Sequence, residues 1–178
     1  DGFLSVEGTS AEMLHLTLVK DMPKLVETFC RADAVLLGFP LYTDGMPGIV
    51  KQFIDELASL EGGESNPPLA FLVQSGFPEA AHSRYLEHYL QSLTGRLRSP
   101  FLGALVRGGC EGVRLMPDKM NRSLFEQLGG LGGGLARDGA FNPANVRAFA
   151  SVERYPGLLI PILKLVLKLP VAQMYWDS

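Results

Sequence analysis

Three stretches hold residue types able to grip a flat molecule with polar edges. The first is GFPLYTDGMPG at residues 38–48, with aromatic residues, an acid, two prolines and three glycines. The second is SGFPEAAH at residues 75–82, and the third is GGCEGVR at residues 108–114. Glycine lets backbone N–H groups come close to a ligand. Proline fixes a loop's shape before binding and so lowers the cost of ordering it. Tyr42 and Phe77 add flat apolar surfaces. Together these types suit a planar heterocycle. For Tyr42 the competing reading is an aromatic that only plugs the end of a sheet.

Other chemistries find less support. Ser75 and Gly76 are not part of a Gly-x-Ser-x-Gly elbow, so hydrolase chemistry lacks its main signal. Glu79 and His82 have the spacing of carboxylate-bridged di-iron helices, but such sites need two pairs and further carboxylates. They read as a capping acid and a surface histidine. His15 and His88 are isolated. Cys30 and Cys110 are too few for a disulfide framework and lack metal spacing, and each reads as a small buried apolar residue. Lys51 and Asp55 form an i,i+4 pair whose role reads as structural. The run LGGLGGG at residues 128–134 sits after or within a helix, with no following Lys-Ser/Thr, so it does not read as a phosphate loop. A close helix-to-backbone contact or a break between two helices fits it better. No catalytic side chain and no metal ligand set is assigned.

Strands and helices must carry these loops. AVLLG (residues 34–38) is a continuous apolar run, the pattern of a strand buried on both faces. LAFLVQS (69–75) and PFLGALVRG (100–108) read as two more strands. DMPKLVETFCRA (21–32) reads as a helix with Leu25, Val26 and Phe29 at helical spacing. PGIVKQFIDELASL (47–60) reads as a helix with proline at its start and Ile49, Val50, Phe53, Ile54 and Leu57 inward. AHSRYLEHYLQSLTGRLR (81–98) reads as a helix with Tyr85, Leu86, Tyr89, Leu90 and Leu93 inward. A further helix is expected from about residue 120 into the glycines. MLHLTLV (13–19) alternates weakly and reads as a short strand or an extended lead-in. Alternating strands and helices imply an α/β class, right-handed crossovers and a mostly parallel sheet. In such a sheet, ligands bind beyond the carboxyl ends of the strands.

The chain has 178 residues, 47% hydrophobic and 20% charged, which suits one domain with a large core. A net charge of −3 and a pI near 5.6 give no electrostatic case for nucleic acid, which would need a clustered basic face. The opening DGFLSVEGTS has no basic start or long apolar run, so the expected compartment is the cytoplasm. The first residue is not Met, as in a fragment or a processed form. Residues 155–176 are nearly all apolar, but Pro161 and Pro170 interrupt them and Lys164 and Lys168 lie on one face. No membrane span is expected there. Packing on the core, a subunit interface and an interfacial helix all stay open.

The run ADAVLLGFPLYTDGMPGIVKQFIDEL (residues 32–57) resembles the central segment of the NAD(P)H-dependent FMN reductase family of flavodoxin-like proteins. The matches are Ala32, Asp33, Ala34, Pro40, Tyr42, Pro47, Gly48, Lys51, Phe53 and Asp55. LVQSGFPEAAH (72–82) is similar to the family's next loop, and GGCEGVRLMP (108–117) to the third loop of a subgroup. The likeness spans roughly residues 20–140.

The resemblance implies a flavodoxin-like three-layer sandwich over residues 1–178, a single domain with an apolar C-terminal segment at 155–178. It implies FMN and NAD(P)H as cofactors, with hydride passing from nicotinamide to flavin and on to a small-molecule or protein acceptor. Pro40, Leu41, Tyr42, Thr43 and Asp44 would line the ring, Ser75, Gly76 and Phe77 would cover its other edge, and Gly108 and Gly109 would lie near. A homodimer is also implied. The chain departs from the family ahead of Asp21, where no strand leads into a Ser/Thr-rich loop opening a helix to hold the FMN phosphate. The N-terminal part therefore reads as incomplete. The exposed strand edge would need covering by residues 13–19, the C-terminal segment or another subunit. A non-enzymatic electron carrier and a cofactor-free interaction module are the alternatives.

Overall fold

Three seven-residue apolar runs form the strands β1 (Val35–Leu41), β2 (Leu69–Ser75) and β3 (Phe101–Arg107). They pair in parallel in the order β1-β2-β3, so β2 is central. The structure, a computed structural model, describes residues 1–17, 19–42, 45–61, 66–114, 116–150, 152–159 and 161. The apolar segment beyond residue 161 lies outside them.

Among the described residues five α-helices accompany the strands: α1 (Met22–Arg31), α2 (Gly48–Leu57), α3 (Arg84–Arg96), α4 (Asp118–Asp138) and α5 (Pro143–Phe149). Since β1, β2 and β3 are neighbours in sequence order, right-handed crossovers place α2 and α3 on the same face. Phe29 of α1 meets Phe53 of α2 edge-on at 6.3 Å. These helices bury Phe71 and Val73 of β2 and Val106 of β3 in one core cluster. On the other face Ala70 and Leu105 pack with Leu131, Phe141 and Phe149 from α4, α5 and the turn between them. The result is a three-layer α/β arrangement.

Several expectations are corrected. β1 runs on through Pro40 to Leu41 rather than ending at Gly38. Among the described residues β1 pairs with β2 alone. An edge strand tolerates proline where an N–H would face away from the neighbour. β1 is also not buried on both faces: Leu36 is 52% exposed, because α4 and α5 cover β2 and β3 but leave that side of β1 open. Residues 13–17 form no strand. Tyr85 is 87% exposed and Tyr89 also faces solvent, since the inward stripe of α3 runs through Leu86, Leu90, Leu93 and Leu97. Cys30 is exposed and Cys110 half-buried, so neither is a core residue.

β3 carries a bulge. Leu69 faces Phe101 but Ala70 faces Gly103, leaving Leu102 as an extra residue. Gly103 adopts φ +114°, open to glycine but strained for other residues. The freed carbonyl of Leu102 accepts the Phe141 N–H at 2.8 Å. Asn142 then caps α5, accepting from the Ala144 N–H at 2.9 Å, with Pro143 in the first turn.

The glycine run lies inside α4, which passes through it unbroken. Its purpose is close approach: a Cβ on Gly132 would stand 2.9 Å from the Phe3 nitrogen, and one on Gly2 only 2.0 Å from the Gly129 oxygen. Gly130 faces open space. Gly130→Ala should therefore stabilise by about 0.5–1 kcal/mol through helix propensity, raising Tm by about 2–4 °C. Gly132→Ala should forfeit that gain by displacing the N-terminal turn. Melting curves followed by circular dichroism check the pair, and equal shifts would refute the docking account.

Candidate functional site

Parallel pairing brings all three strands out at one rim. Leu41 is opposite Ser75 at the last step of the β1–β2 ladder, and Gln74 is opposite Arg107. The next residues, Tyr42 and Gly76, therefore leave side by side. Tyr42 pairs with Gly45, donating its N–H to the Gly45 carbonyl at 3.0 Å and accepting the Gly45 N–H at 3.2 Å. Tyr42 is 70% exposed. Thr43 and Asp44 lie outside the described residues.

Behind Tyr42 the side chains divide. Leu41 is buried in the core with α1, α2 and α3, so only its backbone reaches the rim. Pro40 is half-buried on the opposite face. Ser75 is buried, and its hydroxyl donates to the Phe77 carbonyl at 3.3 Å. Gly76 is exposed, and a Cβ there would approach Glu111 Oε2 to 3.3 Å. Phe77 is 39% exposed, with one face stacked on His82 at 4.8 Å.

The third loop is tied to the second. Gly109, at φ +68°, donates its N–H to the Phe77 carbonyl at 2.8 Å, and Gly108 beside it is buried. Asn121 of α4 donates its side-chain amide to the carbonyls of Val113 at 2.7 Å and Met116 at 3.2 Å, pinning the loop's far end. Cys110 sits between, and burial pushes its thiol above the ordinary range, opposed by the Arg107 charge and the Ser75 backbone. It stays protonated at neutral pH and is a poor nucleophile.

The structure thus brings Pro40, Leu41, Tyr42, Ser75, Gly76, Phe77, Gly108 and Gly109 to one rim. The sequence reading missed several supporting residues. His82 is not merely a surface histidine, since its ring backs Phe77. Glu79 stands at the N-cap position of the helical turn Ala80–Ser83, but its side chain makes no capping bond there and instead accepts the Tyr155 N–H at 2.7 Å. Arg107 donates to the Phe149 carbonyl at 2.6 Å and lies 5.4 Å over the Phe149 ring. Arg84 clamps Glu153, and that hydrogen bond, more than the other effects, holds the Glu153 carboxyl below its ordinary range. The Arg84–Glu153 pair is accordingly complete above the usual glutamate pKa and is lost as pH falls through the depressed value. Apart from His82 and Phe77, these partners are distant in sequence, so spacing gives no hint of them.

Two hollows mark the surface nearby. One of about 230 Å³ lies behind the third loop, between Arg107, Cys110, Met116, Asn121 and Leu124. A larger one of about 490 Å³ lies along the start of α4, lined by Asp118, Lys119, Arg122, Phe125 and Glu126. All five belong to one helix, so no groups converge there from several elements as binding clefts require. Neither hollow includes Tyr42 or Phe77, whose rim is an open shelf. Among the described residues no three of His, Cys, Asp and Glu gather as a metal set. No described helix is long and apolar enough to cross a membrane.

Comparison with known proteins gives the same frame. A family model described as NADPH-dependent FMN reductase matches residues 7–107. Among solved structures, an NADPH-quinone reductase from P. pentosaceus superposes with a TM-score of 0.54 at 17% identity, covering 77% of this chain and 85% of its own. An NADH:FMN oxidoreductase in its apo form superposes with a TM-score of 0.55 at 15% identity, covering 89% and 86%. At these identities the likeness is one of fold. No curated protein matches the chain.

Proposed function

Because the chain belongs to the NADPH-dependent FMN reductase family, we propose that the rim formed by Tyr42, Gly76, Phe77 and Gly109 is where it holds FMN for reduction by NAD(P)H. The chain is an NAD(P)H-dependent flavin oxidoreductase. The observation that carries the site assignment is the Leu41–Ser75 pairing, which sets two exposed aromatic residues at adjacent strand ends. Two exposed aromatic residues, one of them backed by His82, suit a flat tricyclic ring. For the phosphate end, residues 1–17 offer only a short helical turn, whose Gly2 and Phe3 pack on α4, so the ring contacts are the ones assigned.

When bound, the flavin supplies the two-electron chemistry. The chain supplies shape. Tyr42 is exposed, with its own N–H and carbonyl both bonded to Gly45. Pro40 has no N–H and that of Tyr42 is spent on Gly45, so backbone polarisation of the ring from this loop falls to other residues. Gly76 leaves the second loop narrow, since even a methyl would crowd Glu111. Phe77 is backed by His82 and its carbonyl is fixed by Gly109, so it meets a ring already oriented.

FMN titration of the purified chain, followed by anaerobic NADPH, tests this. Quenched flavin fluorescence and then loss of the oxidised flavin absorbance are expected. Tyr42→Ala and Phe77→Ala should each weaken FMN binding about tenfold by removing an aromatic contact. Binding without reduction would indicate an electron carrier, and absence of binding would overturn the assignment. Parallel assays with quinone, azo compound and free flavin as acceptor identify where the electrons go.

A further inference from the structure

We propose that residues 152–155 form a latch that sets the position of Phe77, with Arg84, Glu79 and Glu153 as positioning residues. The proposal rests on reading the rim as the flavin shelf, but the latch can be measured without flavin.

The Phe77 loop is poorly held by its own neighbourhood. It leaves β2 and turns through the short helical segment Ala80–Ser83 before α3 begins. Near Phe77 it has the Gly109 bond and the long Ser75 hydroxyl contact. The amides of Ala80 and Ala81 find their partners far along the chain. The Ala80 N–H donates to the Val152 carbonyl at 2.9 Å, and the Ala81 N–H to the Glu153 carbonyl at 3.2 Å. In return the Tyr155 N–H donates to Glu79 Oε1 at 2.7 Å. The two segments are thus fastened in both directions.

Arg84 closes the fastening. Its Nε and Nη2 donate to the Glu153 carboxylate, the shortest contact being 2.7 Å, while Nη1 donates to Glu87 at 2.7 and 2.9 Å. An exposed ion pair alone contributes little. A forked guanidinium clamped between two carboxylates instead fixes geometry, and two adjacent backbone bonds depend on that geometry.

The latch reaches Phe77 through side chains. Glu79 Oε2 lies 3.7 Å from His82 Nε2, and the His82 ring stacks on Phe77. At its other end, Phe149 is buried and held by Arg107, the last residue of β3. The contacts run from the end of β3 through α5 and the latch to the β2 loop, and return to β3's own loop at Gly109. Loosening any link frees Phe77 to move relative to Tyr42.

Glu153→Gln and Glu79→Ala test the proposal, with Glu61→Gln as control. Glu61 pairs with Arg96 at 2.8 Å, beyond the opposite end of the strands. Amide hydrogen exchange at Ala80 and Ala81 should quicken about tenfold in the first two variants with Tm nearly unchanged, since the opening is local. FMN should bind about three- to tenfold more weakly through lost preorganisation, and the visible circular dichroism of the bound flavin should change. The control should alter none of these. Unchanged exchange in both variants would overturn the latch whether or not FMN binds. Faster exchange with unaltered FMN affinity and spectrum would overturn the positioning role. Failure of the unmodified chain to take up FMN would overturn the flavin reading, while the exchange rates would still decide the latch.

Discussion

Phe71→Ala is expected to lower the free energy of unfolding by about 3–5 kcal/mol. Phe71 is 0% exposed. It lies at the middle of β2, with Leu37 opposite on one side and Ala104 on the other. Its ring packs 6.2 Å from that of Phe101 and belongs to the core shared with α1, α2 and α3. Truncation removes the side chain's transfer energy and leaves a cavity that paired strands cannot collapse to fill. Total stability of a domain is about 5–15 kcal/mol, so the variant should be marginal. Urea denaturation measures it, with Phe71→Leu as the milder comparison. A loss under about 1 kcal/mol would mean that Phe71 is not central to the packing.

Gly103→Ala should cost about 2–6 kcal/mol, from two effects. A side chain at φ +114° carries backbone strain of about 1–3 kcal/mol. The new methyl would also stand 3.1 Å from Phe141 Cβ and 3.2 Å from Cδ2, an overpacking cost of about 1–3 kcal/mol. Phe141 is held to the bulge by its bond to Leu102 and leads directly into α5. The damage should therefore reach Phe149, Arg107 and the rim. Gly38→Ala is the matched control, since its methyl would meet only Leu72 atoms at 3.9 Å. Denaturation curves that superpose for the two variants would disprove the strain account.

What the sequence reveals here depends on how local each signal is. β2 matches its apolar run at both ends because the strand is central and covered on both faces. The end of β1 is hidden because the apolar run stops at Gly38, and only the pairing shows the strand continuing through Pro40. α5 was missed although Asn142 and Pro143 form a recognisable start; seven residues are too few for a periodic stripe to stand out. The rim loops were legible because parallel strands export their ends to one side by topology. The stacking of His82 on Phe77, the exposure of Cys30 and the turn of Tyr85 toward solvent depend on tertiary packing, which spacing does not encode. Glu79 and Tyr155 are 76 residues apart, beyond the reach of any motif.

That separation also bears on how the molecule assembles. Arg84 and Glu153 enclose a loop of 69 residues, whereas the β1–β2 and β2–β3 units close over much shorter spans. The entropy of closing a chain segment rises with its length, and contacts of high sequence separation slow folding. The sheet and its first helices should condense early, with the Ala80 and Ala81 amides among the last to gain protection in a pulse-labelled refolding experiment. A nascent or refolding chain would then possess its scaffold before its grip, and cofactor capture would belong to the final kinetic phase rather than seed the first.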